Sequence, residues 1–213
     1  DINDMRAWEL YEGKRDILEK IPPDIMDKLR FIDNLFPDNY EIRIVGGAPR
    51  DLLMGETPKD YDMSTTADPE TVIQIGNDYN NRTAQDKKYD HITVIPTGLQ
   101  HGTITYSITG DDFEITTLRT DSNTDGRHAE VSFDGVTWEE DAARRDLTRN
   151  SISVGLDGKI YDYYGGVSDI RNGIVKFVGE ADSRIQEDFL RIMRFFRFMG
   201  RSGSLTWDKE TLD

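Results

Sequence analysis

The chain has 213 residues, a net charge of −15, 10% aromatic residues and no cysteine. The missing cysteines exclude disulfides and thiolate metal sites, and no apolar run approaches the ~20 residues of a membrane span. So acidic a chain lowers the expectation of a broad nucleic-acid face, so a polyanionic partner has to be held by a few focused Arg and Lys residues or by metal ions. The aromatics and scattered apolar runs argue against disorder. An acidic, mixed N-terminus (DINDMRAWELYEGKRD) predicts no signal peptide, and the composition as a whole fits a cytoplasmic protein.

In chain order, residues 5–20 and 23–36 read as two helices parted by Pro22-Pro23, the second with Ile25, Met26, Leu29, Ile32 and Leu35 near helical spacing. YEIRIVGG (40–47) reads as a strand ending in a Gly-Gly turn, and APRDLLMG as a short helix closed by Gly55. KDYDMST (59–65) reads as a second strand. Asp68 and Pro69 then supply the N-cap and first position of another helix. HITVIPT, HGTITYSI and DFEITTLRT read as three more strands, the last two joined by the tight turn TGDD. Residues 121–139 read as a mobile loop, 139–152 as a helix, and 153–166 as a hairpin about Asp157-Gly158. A helix with an apolar and Arg-bearing face is predicted from Asp182 to about Met199. The fold class is α+β: a mixed, mostly antiparallel sheet with flanking helices, followed by the start of an all-α domain. The expected division is an N-terminal helical extension (1–36), a sheet domain (37–173) and the start of a helical domain (174–213).

The chemistry concentrates at KDYD. Residues two apart on a strand share a face, so Asp60 and Asp62 project together with Tyr61 opposite. Adjacent carboxylates raise one another's pKa unless a cation neutralises them, and oxygen-only ligands suit Mg²⁺ or Mn²⁺. Glu114, flanked by Phe113 and Ile115, is the candidate third carboxylate of a two-metal phosphoryl-transfer site. An isolated Asp-x-Asp reads first as a solvated strand edge; the company of VGGAPRD is what changes the reading. Gly46 and Gly47 allow close backbone approach to an anion, and Arg50 lies in the first turn of the helix that follows. Neither a P-loop nor G-x-G-x-x-G is present.

Taken together, IVGGAPRDLLMGETPKDYDMSTTADPETV, HGTITYSITGDDFEITTLRTD, GRHAEVSF, EEDAARRDLTRNSISVGLDGKIYDYYGGVSDI and RIQEDFLRIMRFFRF resemble, in order, the motifs of the class II nucleotidyltransferases. That family comprises the CCA-adding tRNA nucleotidyltransferases and the bacterial poly(A) polymerases. The match spans roughly residues 40–200. The resemblance implies a DNA polymerase β-like head followed by a helical neck, with two Mg²⁺ ions (or Mn²⁺) held by Asp60 and Asp62. It implies that Arg50 contacts the triphosphate and that Arg144, Arg145, Asp146 and Asn150 surround the sugar and phosphates. It also makes 121–139 the loop between the catalytic and base-reading parts, and assigns Glu187, Asp188, Arg191 and Arg194 to a base-reading helix. On a helix Asp188 and Arg191 share a face. Asp accepts from an exocyclic amine and Arg donates to ring nitrogens or carbonyls, so the pair can admit C and A while rejecting G and U. Read without the resemblance, the same pair is an ordinary surface salt bridge.

The function this implies is template-independent addition of C and A to the 3′ end of tRNA from CTP and ATP. The alternatives are poly(A), A-only or CC-only synthesis within the family, a non-catalytic nucleotide- or RNA-binding module, and a transferase acting on a protein or small molecule. DSNTDGRHAEVS begins like a calcium loop, but Ser132 stands where the bidentate Glu belongs. His101 reads as a hydrogen-bonding residue of the sheet or, alternatively, a substrate contact, and Tyr161, Tyr163 and Tyr164 read as packing residues in preference to base-stacking ones. Pro49, Leu147, Arg149 and Ser151 depart from the commoner family residues, and the resemblance implies further helical domains beyond this chain's end.

Overall fold

The computed structural model describes residues 8–13, 15–124, 128–179 and 206–207. Its centre is a seven-stranded sheet in the order β3-β4-β5-β2-β1-β8-β9. The strands are β1 (Ile42–Ile44), β2 (Met63–Thr65), β3 (Thr93–Gly98), β4 (Thr103–Ile108), β5 (Asp111–Thr117), β8 (Ser153–Gly155) and β9 (Ile160–Tyr161). All neighbours pair antiparallel except β2 and β5, which run parallel with Met63 opposite Ile115. The mixed, mostly antiparallel sheet expected from the sequence is therefore present.

Helix α1 (Pro23–Leu35) starts with Pro at its first position and buries Leu29, Phe31 and Ile32. Phe31 meets Tyr79 and Tyr89 edge-on at 5.0 and 4.8 Å, and Lys28 pairs with Asp111 of β5. The helix is thus part of the sheet's hydrophobic core. Helix α2 (Gly47–Leu53) follows β1 and buries Leu52 and Leu53 completely. Helix α3 (Pro69–Asn80) carries the expected cap, Asp68 accepting from Thr71 N at 2.8 Å. It lies so close to the sheet that a Cβ on Gly76 would come within 2.6 Å of Val94. The β4–β5 turn has Thr109 at φ 49° and Gly110 at φ 91°. Two successive positive φ angles make the tight hairpin that TGDD predicts. Gly158 (φ 83°) does the same between β8 and β9.

Four local expectations change. Residues 5–20 do not make one helix: Trp8–Tyr11 are helical, Gly13 turns at φ 70°, and Ile17–Lys20 form a separate 3₁₀ turn capped by Asp16. The strand expected at 59–65 is regular only over Met63–Thr65. Residues 121–139 are not one loop, because β6 (Thr120–Thr124) and β7 (His128–Ser132) pair as an antiparallel hairpin. The helix expected over 139–152 is α4 (Trp138–Ala143) alone, followed by a 3₁₀ turn at Thr148–Asn150. Leu147, extended at the cap of that turn, bridges to Phe177 and forces the break. Helix α5 (Gly166–Arg171) follows, and then β10 (Ile174–Val175), which pairs with β11 (Thr206–Trp207). Val175, Phe177 and Val178 are buried, with Thr148 N donating to Lys176 O and Val178 N to Asp146 O. The helix expected from Asp182 to Met199 lies outside the described residues.

Candidate active site

Asp60 and Asp62 lie in the extended lead-in to β2. Val45 N donates to Asp62 O at 2.9 Å, which carries the β1–β2 pairing one step beyond the regular strand. Alternation survives there: Asp60 and Asp62 are exposed while Tyr61 between them is only 6% exposed. Extending the parallel β2–β5 register by one residue sets exposed Glu114 beside Asp62. A cleft of about 370 Å³ opens next to Asp60, between Lys59, Tyr61 and the Gly110–Phe113 turn.

The Gly-Gly turn closes over the same spot. Gly46 has φ 73° and ψ −129°, a combination that only glycine adopts without strain. Its missing side chain is used as well, since Asp62 Oδ2 lies 3.4 Å and an Arg145 guanidinium nitrogen 3.9 Å from where a Cβ would stand. Arg50 folds back over Gly47, its nearest nitrogen 3.3 Å from that residue's Cβ position. It donates to Asp51 Oδ1 at 2.6 and 2.8 Å and to Asn150 Oδ1 at 2.8 Å. Asn150 in turn donates to Asp146 Oδ1 at 3.2 Å, and the same oxygen accepts from Leu147 N at 2.8 Å. Arg50 thus joins Asn150 and its neighbour Asp146, which lie far on in sequence, in one chain of hydrogen bonds.

Arg144 and Arg145 are organised by a residue the sequence reading did not single out. Asp141, 2% exposed, accepts from Arg144 Nε at 2.9 Å, from Arg145 at 3.2 Å and from Arg119 N at 3.3 Å. The signal was available, because a carboxylate three and four residues before two arginines on a helix faces both. Ser64 Oγ, 3.5 Å from Arg145, completes that side. Arg149 departs from the commoner family residue at its position. It is 2% exposed, its terminal nitrogen donates to Met54 Sδ at 3.5 Å, and its Nε has no hydrogen-bond partner among the described residues. Burial, reinforced by the like charge of Arg50, lowers its pKa to about 10.

The three tyrosines expected to pack are each engaged with the protein. Tyr161 stacks on Arg43 (3.4 Å), which also lies over Trp138 (4.0 Å), and Tyr163 accepts from Arg43 at 3.3 Å. Tyr164 donates to Glu139 O, and the carbonyl of His101 accepts from Arg119. Glu187, Asp188, Arg191 and Arg194 lie outside the described residues, as does the centre of the calcium-like segment.

Desolvation raises the Asp62 pKa first, and the charges of Glu114 and Asp60 add to it, with Arg145 opposing. Unneutralised carboxylate repulsion of this kind suits a hard divalent cation. No three carboxylate or imidazole groups among the described residues converge tightly enough to enclose an ion, so Glu114 adds negative charge without closing a three-ligand cage. Two exposed carboxylates on one side form an open oxygen donor set, which leaves coordination positions for water and substrate phosphates. The residues present fit such a cation.

Residues 42–176 match the poly A polymerase head domain. The chain belongs to this family. It is 49% identical over 176 residues to the mitochondrial CCA tRNA nucleotidyltransferase 1 of Danio rerio, covering 82% of this chain and 38% of that protein. It is 48% identical over 174 residues to the human protein of that name (81% and 38%) and 34% identical over 187 residues to the CCA-adding enzyme of Leuconostoc mesenteroides (87% and 43%). The chain therefore spans about two fifths of the length of these relatives. The crystal structure of Bacillus stearothermophilus CCA-adding enzyme in complex with CTP superposes with a TM-score of 0.72 at 35% identity, over 89% of this chain and 42% of that one. The resemblance inferred from the motifs is thus established at the level of the family and of the fold, and membership in a family of nucleotidyltransferases implies dependence on a divalent metal ion.

Proposed function

We propose that this chain is the catalytic part of an enzyme that adds C and A to the 3′ end of tRNA, using CTP and ATP. The observation that carries the reading is the placement of exposed Asp60 and Asp62 together, against the glycine turn and within reach of Arg145. A module that only bound nucleotide would have no use for an unneutralised carboxylate pair. The expected division is a head (37–173) and the start of a helical neck (174–213) that carries Glu187, Asp188, Arg191 and Arg194; within the expected N-terminal extension (1–36), helix α1 packs into the core of the head. Base choice belongs to those four residues.

The RNA 3′-hydroxyl, giving up its proton to solvent, attacks the α-phosphorus of CTP or ATP. An O–P bond forms, the α–β anhydride bond breaks, and pyrophosphate leaves. Asp60 and Asp62 would hold Mg²⁺, with Mn²⁺ as a substitute, which supplies Lewis-acid stabilisation of the charge on the transferring phosphate. Arg50 and Arg145, already fixed by carboxylate and amide partners, meet the triphosphate without reorganising. Asp146 and Asn150, joined to each other by a hydrogen bond, would accept from and donate to ribose hydroxyls, and so would favour ribonucleotides.

The test is extension of a tRNA lacking its 3′ end by the full-length protein, with Mg²⁺ and each labelled NTP in turn. Addition of C and then A is expected. Incorporation of A alone, or a long A tail, replaces this reading with that of the poly(A) relatives. Nucleotide binding without any extension replaces it with a binding module.

A further inference from the structure

Arg145 occupies a precarious position. Its guanidinium lies beside the Gly46 turn, next to the Asp62 carboxylate that the site needs for a cation. An arginine so placed could fold onto Asp62 and neutralise it. It does not: among the described residues the ion-pair partner of Arg145 is Asp141, at 3.2 Å. Asp141 is well equipped to win this competition. It is buried, it sits in the last turn of α4 four residues before Arg145, which lies just past the helix end, and its other oxygen is anchored by Arg144 Nε and Arg119 N. The helix is itself pinned by a capping box, Thr137 accepting from Glu140 N at 3.2 Å while Glu140 accepts from Thr137 N at 2.8 Å.

We propose that Asp141 is a positioning residue of the transfer site, which holds Arg145 off Asp62 so that Asp62 stays open to a divalent cation. The inference rests on the reading of Asp60 and Asp62 as cation ligands. Asp141 touches no reacting atom and acts through Arg145. If its charge is removed, Asp62 is the carboxylate left for Arg145, since those two already interact electrostatically. Cation and arginine then compete for one carboxylate.

The experiment titrates the full-length protein with Mn²⁺ alone, without nucleotide or RNA, by calorimetry or by loss of the free-ion EPR signal. Asp141→Asn is the informative change, because the amide oxygen can still accept from Arg119 N and Arg144 while the amide nitrogen cannot accept from Arg145. It is expected to weaken Mn²⁺ binding about tenfold or more, the range typical of groups that orient metal ligands. The double variant Asp141→Asn with Arg145→Gln is expected to recover wild-type Mn²⁺ affinity, because the competitor is gone. Asp141→Glu keeps the charge and is expected to bind Mn²⁺ like the wild type. This second pair of variants decides the matter should Asp141→Asn alone not fold. Unchanged affinity in Asp141→Asn overturns the proposal, and so does a loss that persists in the double variant, since that loss would come from general damage. Asp62→Ala is the control for the site itself. If it leaves Mn²⁺ binding untouched, the ligand reading fails as well. If it abolishes binding while Asp141→Asn does not weaken it, only the role of Asp141 is lost.

Discussion

Replacing Arg149 with Met should make the protein more stable. A guanidinium normally titrates above 12, and here burial lowers the pKa to about 10. At about 1.4 kcal/mol for each tenfold change in proton affinity, keeping Arg149 charged costs the fold about 3 kcal/mol. Its Nε adds an unsatisfied buried donor, and the sulfur of Met54 is a weak acceptor for its terminal nitrogen. Methionine keeps an unbranched stem and removes the charge; the attraction of Asp169, Asp51 and Glu56 is already contained in the lowered pKa, so the remaining offset is the packing that the shorter side chain gives up. A net gain of about 2 kcal/mol is expected, within the range seen when buried ionic groups give way to apolar ones. For a domain of this size that corresponds to a rise of roughly 4–8 °C in Tm by calorimetry. The pH dependence fixes the cause. A base whose folded pKa is depressed sheds its proton in the folded state first, so wild-type stability rises as pH passes from about 10 toward the unfolded value. The advantage of Arg149→Met should therefore be complete at neutral pH and shrink above about pH 10 in paired denaturant titrations. A Tm for Arg149→Met several degrees below wild type at neutral pH would show that the three carboxylates outweigh desolvation, and would refute the reasoning.

Other consequences concern the glycine turn and the helix behind it. Gly46→Ala forces a side chain into a left-handed backbone and against Asp62 and Arg145; a loss of about 1–3 kcal/mol in a urea melt is expected, together with a raised KM for NTP. Gly47→Ala meets only the guanidinium end of Arg50. Its stability should change by less than about 1 kcal/mol, while its KM rises because Arg50 is displaced. Thr137→Ala removes the capping box of α4 and should lower stability by about 1 kcal/mol. Because that helix carries Asp141, the change should also raise the KM for NTP in steady-state assays; an unchanged KM would separate the cap from the site.

The sheet was legible in the sequence because its strands are short, alternating and bounded by glycine turns. Asp68 and Pro69 announced α3, and TGDD and Asp157-Gly158 announced their hairpins, because each turn demands a backbone geometry that few residues adopt. The Asp60–Asp62 pairing was legible from a period of two, and it persists even though the regular strand begins only at Met63. The broken helix after Ala143 was not legible locally, since Leu147 takes up strand-like backbone to reach Phe177, thirty residues away in sequence. The chain from Arg50 through Asn150 to Asp146 likewise joins segments that only the fold brings together. Arg149 stands out in the sequence only as a departure from the commoner family residues, and its burial against Met54 depends on tertiary packing alone. Asp141 was the opposite case: helical spacing pointed at Arg144 and Arg145, but an acidic run ahead of a basic one reads first as a solvated face.

The most direct measurement is single-turnover nucleotide incorporation by full-length Asp60→Ala and Asp62→Ala variants, with circular dichroism and Tm recorded on the same samples. Loss of the cation's several kcal/mol of transition-state stabilisation predicts a fall of roughly a thousandfold or more in rate for each variant, with the fold intact. Incorporation near the wild-type rate by either folded variant would contradict the assignment of this carboxylate pair to catalysis.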